Sequence, residues 1–243
     1  MHSTLTLGGD RALYVGDLPP TGWHGHAAPV LLIGLSGRFT LHLEGGRVER
    51  CHSAVIDAGV QHLLDPCGEQ VALMYLEPDS REARSLRQPF AVHGGVILDV
   101  AIPVRSRSAM DAYLHHFDLP SLLRLRCDPG RPLDVRVQRS LQWLRHPGEA
   151  RLGRDGLASG VQLSASHFNH LFRAEMGVSL RSYRVWSQVR LAMAGLATSP
   201  RLTDAALHGA FSDSAHFSRM FRQTFGMTPS SVLKPLKEVR LVP

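Results

Sequence analysis

The segment His167-Phe168-Asn169-His170-Leu171-Phe172-Arg173 returns forty-nine positions later as His216-Phe217-Ser218-Arg219-Met220-Phe221-Arg222, with Gly177 matched by Gly226 and Ser179 by Thr228. In each copy the apolar residues fall at i, i+3 and i+4 (Phe168, Leu171, Phe172; Phe217, Met220, Phe221). That is the spacing of one buried stripe on an α-helix. The positions between are polar or basic, and a glycine near each helix end suits a left-handed C-terminal cap. A chain that builds the same one-sided basic helix twice is constrained to a helical domain in which two similar helices bury one face and present the other to a common partner. The basic face makes that partner a polyanion, and double-stranded DNA is the one expected.

The charge distribution agrees. The formal net charge of +6 over 243 residues conceals a division: residues 1–130 hold 11 Lys and Arg against 14 Asp and Glu, and residues 131–243 hold 16 against 7. A basic second half joined to a slightly acidic first half points to a nucleic-acid-binding domain preceded by a domain with another task. The three cysteines (Cys51, Cys67, Cys127) form no Cys-x-x-Cys pair, so reduced thiols in a cytoplasm are expected rather than a disulfide frame or zinc ribbon. The absence of a basic-then-apolar leader, and of any apolar run near the roughly 20 residues that a spanning helix needs, predicts a protein neither exported nor membrane-embedded.

Residues 13–77 read as β-structure. The short runs 30–35 and 71–76 are mostly apolar, residues 38–43 alternate with Phe39, Leu41 and Leu43 on one face, and Gly-rich breaks separate them. Helical apolar spacing follows over 108–117 and 119–125, and Asp128-Pro129-Gly130 reads as an interdomain break. Beyond it the pattern predicts helices over 132–145 (stopped by Pro147-Gly148) and 154–159, then one capped by Ser164, then a long helix over 180–197. Ser199-Pro200 breaks that helix, Thr203 caps the next, and Ser212 or Asp213 caps the second repeat helix. Helix, turn and capped helix thus occur twice, each a helix-turn-helix in layout.

These features resemble the AraC/XylS family of bacterial transcription regulators. The second unit carries the family's most characteristic stretch: Ala205-Ala206, then Phe211-Ser212-Asp213-Ser214-Ala215-His216-Phe217-Ser218-Arg219-Met220-Phe221-Arg222, then Phe225-Gly226-Met227-Thr228-Pro229-Ser230. The likeness covers about residues 133–233. One departure is Ala210, where the family usually has glycine in the turn; a left-handed backbone there carries strain on the order of 1 kcal/mol. The first half resembles, less specifically, the family's cupin-type sensor. His24-Gly25-His26 and Asp57-Ala58-Gly59-Val60-Gln61-His62 match cupin histidine motifs in part, with the expected glutamate replaced around Pro29 and Val30 and Pro-x-Gly replaced by Asp57-Ala58-Gly59.

The resemblance implies an α+β multidomain chain. A small β-barrel or cupin-like sensor occupies residues 1–95, and a helical linker and dimerisation segment residues 96–130. An all-α DNA-binding domain of two helix-turn-helix units joined by a long helix occupies residues 131–243. It implies a homodimer, a small-molecule effector and, for an activator, RNA polymerase as a partner. Family correspondence selects Ser166, Asn169 and His170 as readers of base edges, with Arg173 nearer phosphate. In the second helix it selects Ser214, Ala215, His216, Ser218 and Arg219, with Arg222 toward the backbone. Asn pairs with adenine N6 and N7, His donates to guanine N7, and Arg219 can take guanine in bidentate fashion. His216, next to the apolar Phe217, has packing or capping as its alternative.

His24, His26 and His62 are expected to meet across the β-domain, as the polar wall of an effector pocket or, as the alternative, as metal ligands with open positions. No nucleophile elbow, P-loop or Gly-x-Gly-x-x-Gly occurs, so no enzyme and no cofactor are expected. The rival reading is a metal-dependent cupin enzyme or metal sensor fused to a DNA-binding domain. An RNA-binding protein would call for the aromatic stacking motifs that this chain lacks.

Overall fold

The computed structural model describes residues 3–102, 106–110, 132–145 and 152–242. Two compact units are present, one of residues 1–129 with 221–243 and the other of residues 130–220.

Among the described residues of the first unit, eight strands precede two short helices and a ninth follows them: β1 (Ser3–Leu7), β2 (Arg11–Gly16), β3 (Val30–Gly34), β4 (Phe39–Leu43), β5 (Arg47–Cys51), β6 (Ser53–Ile56), β7 (His62–Asp65), β8 (Val71–Leu76), then α1 (Arg81–Ser85) and α2 (Arg87–Val92), then β9 (Val96–Leu98). A tenth strand, β10 (Leu236–Leu241), comes from the far end of the chain. The larger sheet has the order β10-β1-β2-β8-β3-β6-β9 and the smaller β5-β4-β7. Every residue of β3 is buried, as expected of a central strand covered on both faces, which is why its sequence is apolar without alternation. On one face of the large sheet Leu13, Val15, Leu31, Ile33, Val55, Met74 and Leu76 pack against Leu86 and Phe90 of the α1–α2 segment. In β4, Phe39, Leu41 and Leu43 are buried while Thr40 and His42 are half-buried, the alternation of a strand with one face inward.

Two features of this unit depart from the sequence expectation. The region read as all-helical, 131–243, ends in β10, which pairs in parallel with β1 (Leu5↔Val239, Leu7↔Leu241). Residues 96–98, at the start of the segment read as a helical linker, form β9 and pair with β6. Of the helices expected over 108–117 and 119–125 only residues 108–110 are described, and these are helical, with Met110 fully buried. The break at Asp128-Pro129-Gly130 and the stop at Pro147-Gly148 lie outside the described residues.

The second unit contains α3 (Val135–Arg145), α4 (Arg154–Gly160), α5 (Ala165–Met176), α6 (Leu180–Gly195) and α7 (Leu202–His208), and the first residues of α8 (Ser214–Phe225). Phe225 is followed by α9 (Pro229–Leu233) in the first unit. Val137, Leu141 and Leu144 of α3, Leu157 of α4, Phe168 and Phe172 of α5 and Tyr183, Trp186 and Val189 of α6 form the buried interior. Full burial of each phenylalanine contributes about 2 kcal/mol. The second helix-turn-helix is packed tightly onto α6. A side chain at Gly209 would meet the Gln188 carbonyl at 2.5 Å, and one at Gly195 would meet His208 Cβ at 2.8 Å. α6 ends at Gly195, two residues short of the expected end. The residue that opens α7 is Arg201, not Thr203, which lies inside the helix; Asp204 in its first turn accepts from the Ser199 hydroxyl at 2.6 Å. No helix among the described residues is long and apolar enough to cross a membrane.

Candidate nucleic-acid interface and histidine cluster

The two repeat helices begin and end in the same way. The Ser164 side chain accepts from the His167 amide, and a carboxylate oxygen of Asp213 accepts from the equivalent His216 amide at 2.6 Å. These bonds satisfy amides that a helix start leaves open. Of the two caps considered for α8, Asp213 is the one used, and this bond holds its carboxyl below the usual carboxylate range, assisted by the Ser212 hydroxyl. At the other end Gly177 (φ 74°) and Gly226 (φ 69°) take the left-handed conformation, and the Gly177 and Gly226 amides donate to the Arg173 and Arg222 carbonyls.

Between these ends Phe168, Phe172, Phe217 and Phe221 are buried and Leu171 and Met220 half-buried. Facing away from the stripe in α5, Ser166, His170 and Arg173 are exposed and Asn169 is half-buried. In α8, Ala215, Arg219 and Arg222 are exposed, and Ser214, His216 and Ser218 are half-buried. Two of these are engaged within their own helix region. The Ser218 hydroxyl donates to the Ser214 carbonyl at 2.8 Å. The His216 ring sits edge-on to Phe211 (5.3 Å between centroids), with Nδ1 3.1 Å from the Ser212 hydroxyl. His216 therefore packs on and fixes the turn in this structure.

The turn before α8 contains the left-handed residue implied by the family likeness: Ala210 has φ 57°. The matching turn before α5 has its left-handed residue at Gln162 (φ 58°), which no sequence signal marks.

The structure adds residues that sequence reasoning missed. A cavity of about 410 Å³ is lined by Arg154, Asn169, Leu180, Arg181, Arg184, Val185 and Gln188. Three arginines thus line the cleft that also includes Asn169, and burial lowers the pKa of Arg184. The signal available was a pair of arginines in the first two turns of α6, ambiguous with an ordinary solvated face.

In the first unit the histidine trio meets as expected. His24 and His62 form an isolated antiparallel bridge, exchanging backbone hydrogen bonds of 3.0 and 2.9 Å. His26, two residues along, takes the same side, and its carbonyl accepts from Gly59 at 2.8 Å. The rings lie 4.3 to 5.8 Å apart between centroids, and all three residues are buried. Each Nδ1 faces a backbone carbonyl: Gly22 at 3.0 Å for His24, Ala28 at 2.5 Å for His26 and Val60 at 3.0 Å for His62. A carbonyl only accepts, so each Nδ1 carries the proton and each lone pair resides on Nε2. Burial is the main cause that lowers the pKa of all three: His24 below its ordinary value, His62 to about 4 with His24 contributing, and His26 well below the usual histidine range with both neighbours contributing. The rings are neutral at neutral pH. In the same unit, burial raises the Asp57 carboxyl to about 6.

The same unit brings the end of α8 to this cluster. The Gly22 amide donates to the Gly226 carbonyl at 2.7 Å. Tyr75 stands edge-on to His26 (5.0 Å) and to Phe225 (5.6 Å).

Residues 157–235 match the helix-turn-helix domain family. Over 103 residues the chain is 33% identical to the arabinose operon regulatory protein of Escherichia coli strain K12, covering 41% of this chain and 35% of that protein. Over 96 residues it is 34% identical to the transcriptional activator NphR of a Rhodococcus species, covering 39% of this chain and 28% of that one. The chain thus spans about a third of the length of the curated relatives it matches. Across 94% of the chain the fold is similar to that of unsaturated-fatty-acid-bound ToxT from Vibrio cholerae, with a TM-score of 0.57, 10% identity and 96% of that chain covered.

Proposed function

We propose that the chain is a sequence-specific transcription regulator of AraC type, whose occupancy of DNA is set by its β-rich sensor. The observation that carries this reading is the duplication of a capped helix with one buried aromatic stripe and an outward polar and basic face. In this reading Asn169, His170 and Arg219 read base edges, assisted by Ser166, Ser214, Ala215, His216 and Ser218. Arg173 and Arg222 hold phosphates, and Arg154, Arg181 and Arg184 add positive charge beside Asn169. Residues 131–233 supply the DNA-binding function, residues 1–98 with the strand over 236–241 the sensing function, and the segment 99–130 the dimer contact. The regulator works in the cytoplasm as a homodimer, by binding alone and without catalysis, and as an activator it meets RNA polymerase. The regulatory relatives favour this reading, and the fatty-acid-bound structure of similar fold favours a sensor that takes a small ligand.

The linking helix α6 has sixteen residues, about 24 Å at 1.5 Å per residue. Successive major-groove faces of straight DNA are about 34 Å apart, so engagement by both helices requires tilted units or curved DNA. The test is genome-wide mapping of sites bound by the full chain, followed by mobility-shift titration of one recovered site. Specific binding that weakens steeply with salt is expected; equal affinity for recovered and scrambled sites would remove the function.

A further inference from the structure

The histidine trio is more closely specified than the wall of an organic-ligand pocket requires. All three imidazoles are oriented by a backbone carbonyl at Nδ1, the support that fixes the tautomer and direction of metal-ligating histidines. One ring nitrogen of each lies within 4.8 Å of those of the other two. Bonds of 2.0–2.1 Å in a tetrahedral site bring such nitrogens to about 3.3 Å, a closure within reach of small side-chain rotations. The three rings are packed on one another, with centroids 4.3 to 5.8 Å apart. Three neutral nitrogen donors suit zinc, copper or nickel rather than calcium or magnesium.

The cluster is also wired to the end of α8. The Gly22 carbonyl that accepts from His24 belongs to the residue whose amide donates to Gly226. A side chain at Gly226 would fall 2.3 Å from the Gly22 carbonyl oxygen and 2.8 Å from His24 Nδ1. The second route runs through rings, from His26 to Tyr75 to Phe225.

We propose that His24, His26 and His62 bind one divalent transition-metal ion through their Nε2 atoms, and that this ion is the signal, read at Phe225 and Gly226. The inference rests on the regulator reading for its consequence but not for the site itself. Metal binding draws His24 toward the other two rings and thereby tightens or shifts the Gly22–Gly226 seat. The end of the second DNA-reading helix is then restrained differently in the loaded and unloaded states.

The test uses the full-length, tag-free chain, stripped with chelator and titrated with zinc, and with cobalt(II) as a spectroscopic stand-in. One equivalent per chain is expected, with cobalt bands of tetrahedral type. His24→Gln and His62→Gln, each checked for native circular dichroism, should lose at least tenfold in affinity, while His93→Gln at an exposed histidine should not. Zinc should slow amide exchange at Gly22 and in residues 224–228 of the wild type and leave both unchanged in His24→Gln. Uptake below one equivalent, or equal uptake by the folded Gln variants, overturns the site. Stoichiometric uptake with unaltered exchange at Gly22 and 224–228 overturns the signalling role. DNA affinity of the metal-free chain is measured in parallel: specific binding with no metal uptake sinks this inference alone, whereas metal uptake without specific DNA binding sinks the regulator reading and the signalling role and leaves the site standing.

Discussion

The two helix-turn-helix units share a sequence pattern and differ in what their ends hold. In the first, the left-handed residue Gln162 is followed by one residue and then the cap Ser164; in the second, Ala210 is followed by two residues and then the cap Asp213. The second turn is therefore one residue longer, and Phe211 and Ser212 in it hold the His216 ring. At the other end, Gly177 leads through Val178 to Ser179, which caps the long helix α6. Gly226 likewise leads through Met227 to Thr228 at the start of α9, and is in addition seated on Gly22 and His24 of the β-rich unit. The repeat thus preserves a buried stripe and a capped start and varies the element to which the helix end is tied. On the function proposed above, the first copy is the plain reader and the second is the reader under control.

The largest expected effect separates the two glycines. Gly226→Ala combines left-handed strain with overlap on Gly22 and should destabilise the chain by about 3 kcal/mol. Gly177→Ala, at an exposed position, should cost about 1 kcal/mol. Thermal or urea melts of the two variants measure the difference, and equal losses would mean that the Gly226 seat is loose and the two ends equivalent. Next come the readers. Asn169→Ala and Arg219→Ala should each cost about 2 kcal/mol of discrimination between a true site and a mismatched one, at different base positions. Arg173→Ala and Arg222→Ala should weaken binding to all sequences alike, as phosphate contacts do. Competition titrations check this, and loss at the same base positions for Asn169→Ala and Arg219→Ala would break the assignment of one helix to each patch.

The turns provide a smaller effect with the opposite sign. Ala210→Gly and Gln162→Gly relieve positive φ and should each stabilise the protein by about 1 kcal/mol. The gain at Ala210 should come without loss of DNA affinity, and a destabilised Ala210→Gly would show that its methyl group contributes packing that outweighs the strain. The smallest expected effect is one of pH. Because the Asp213 carboxyl is held below its ordinary value by the His216 amide, its cap is complete above the ordinary carboxylate range and is lost as pH falls through the lowered value. The serine cap of the first unit does not titrate. Acid should therefore fray the start of α8 before that of α5, seen as faster amide exchange at His216 than at His167 once the pH falls below the ordinary carboxylate range.

The helical half was legible because its signals are local. Phe168 and Phe172 recur at one-turn spacing, Ser164 precedes them, and Gly177 ends the run. The turn at Ala210 was legible only through family likeness, and Gln162 was not legible at all, since nothing about glutamine announces a left-handed backbone. Thr203 misled because it looks like a cap, while the helix begins one residue before it at Leu202. The strand β10 was missed for a different reason. Lys237, Glu238 and Arg240 give it little apolar alternation, and its partner β1 lies at the opposite end of the sequence, so only a non-local contact makes it a strand. The histidine trio was legible as residue types, but the three carbonyls that orient the rings, and the Gly22–Gly226 link, depend on backbone placement that no spacing rule supplies.

The central claim is that both repeat helices of one chain read double-stranded DNA. Hydroxyl-radical footprinting of the full-length protein on a recovered genomic site tests it most directly. Two protected patches about one helical turn apart are expected, the patch assigned to α5 weakening in Asn169→Ala and the patch assigned to α8 weakening in Arg219→Ala. A single patch unaffected by one of the two substitutions, or no protection beyond that seen on random DNA, would contradict it.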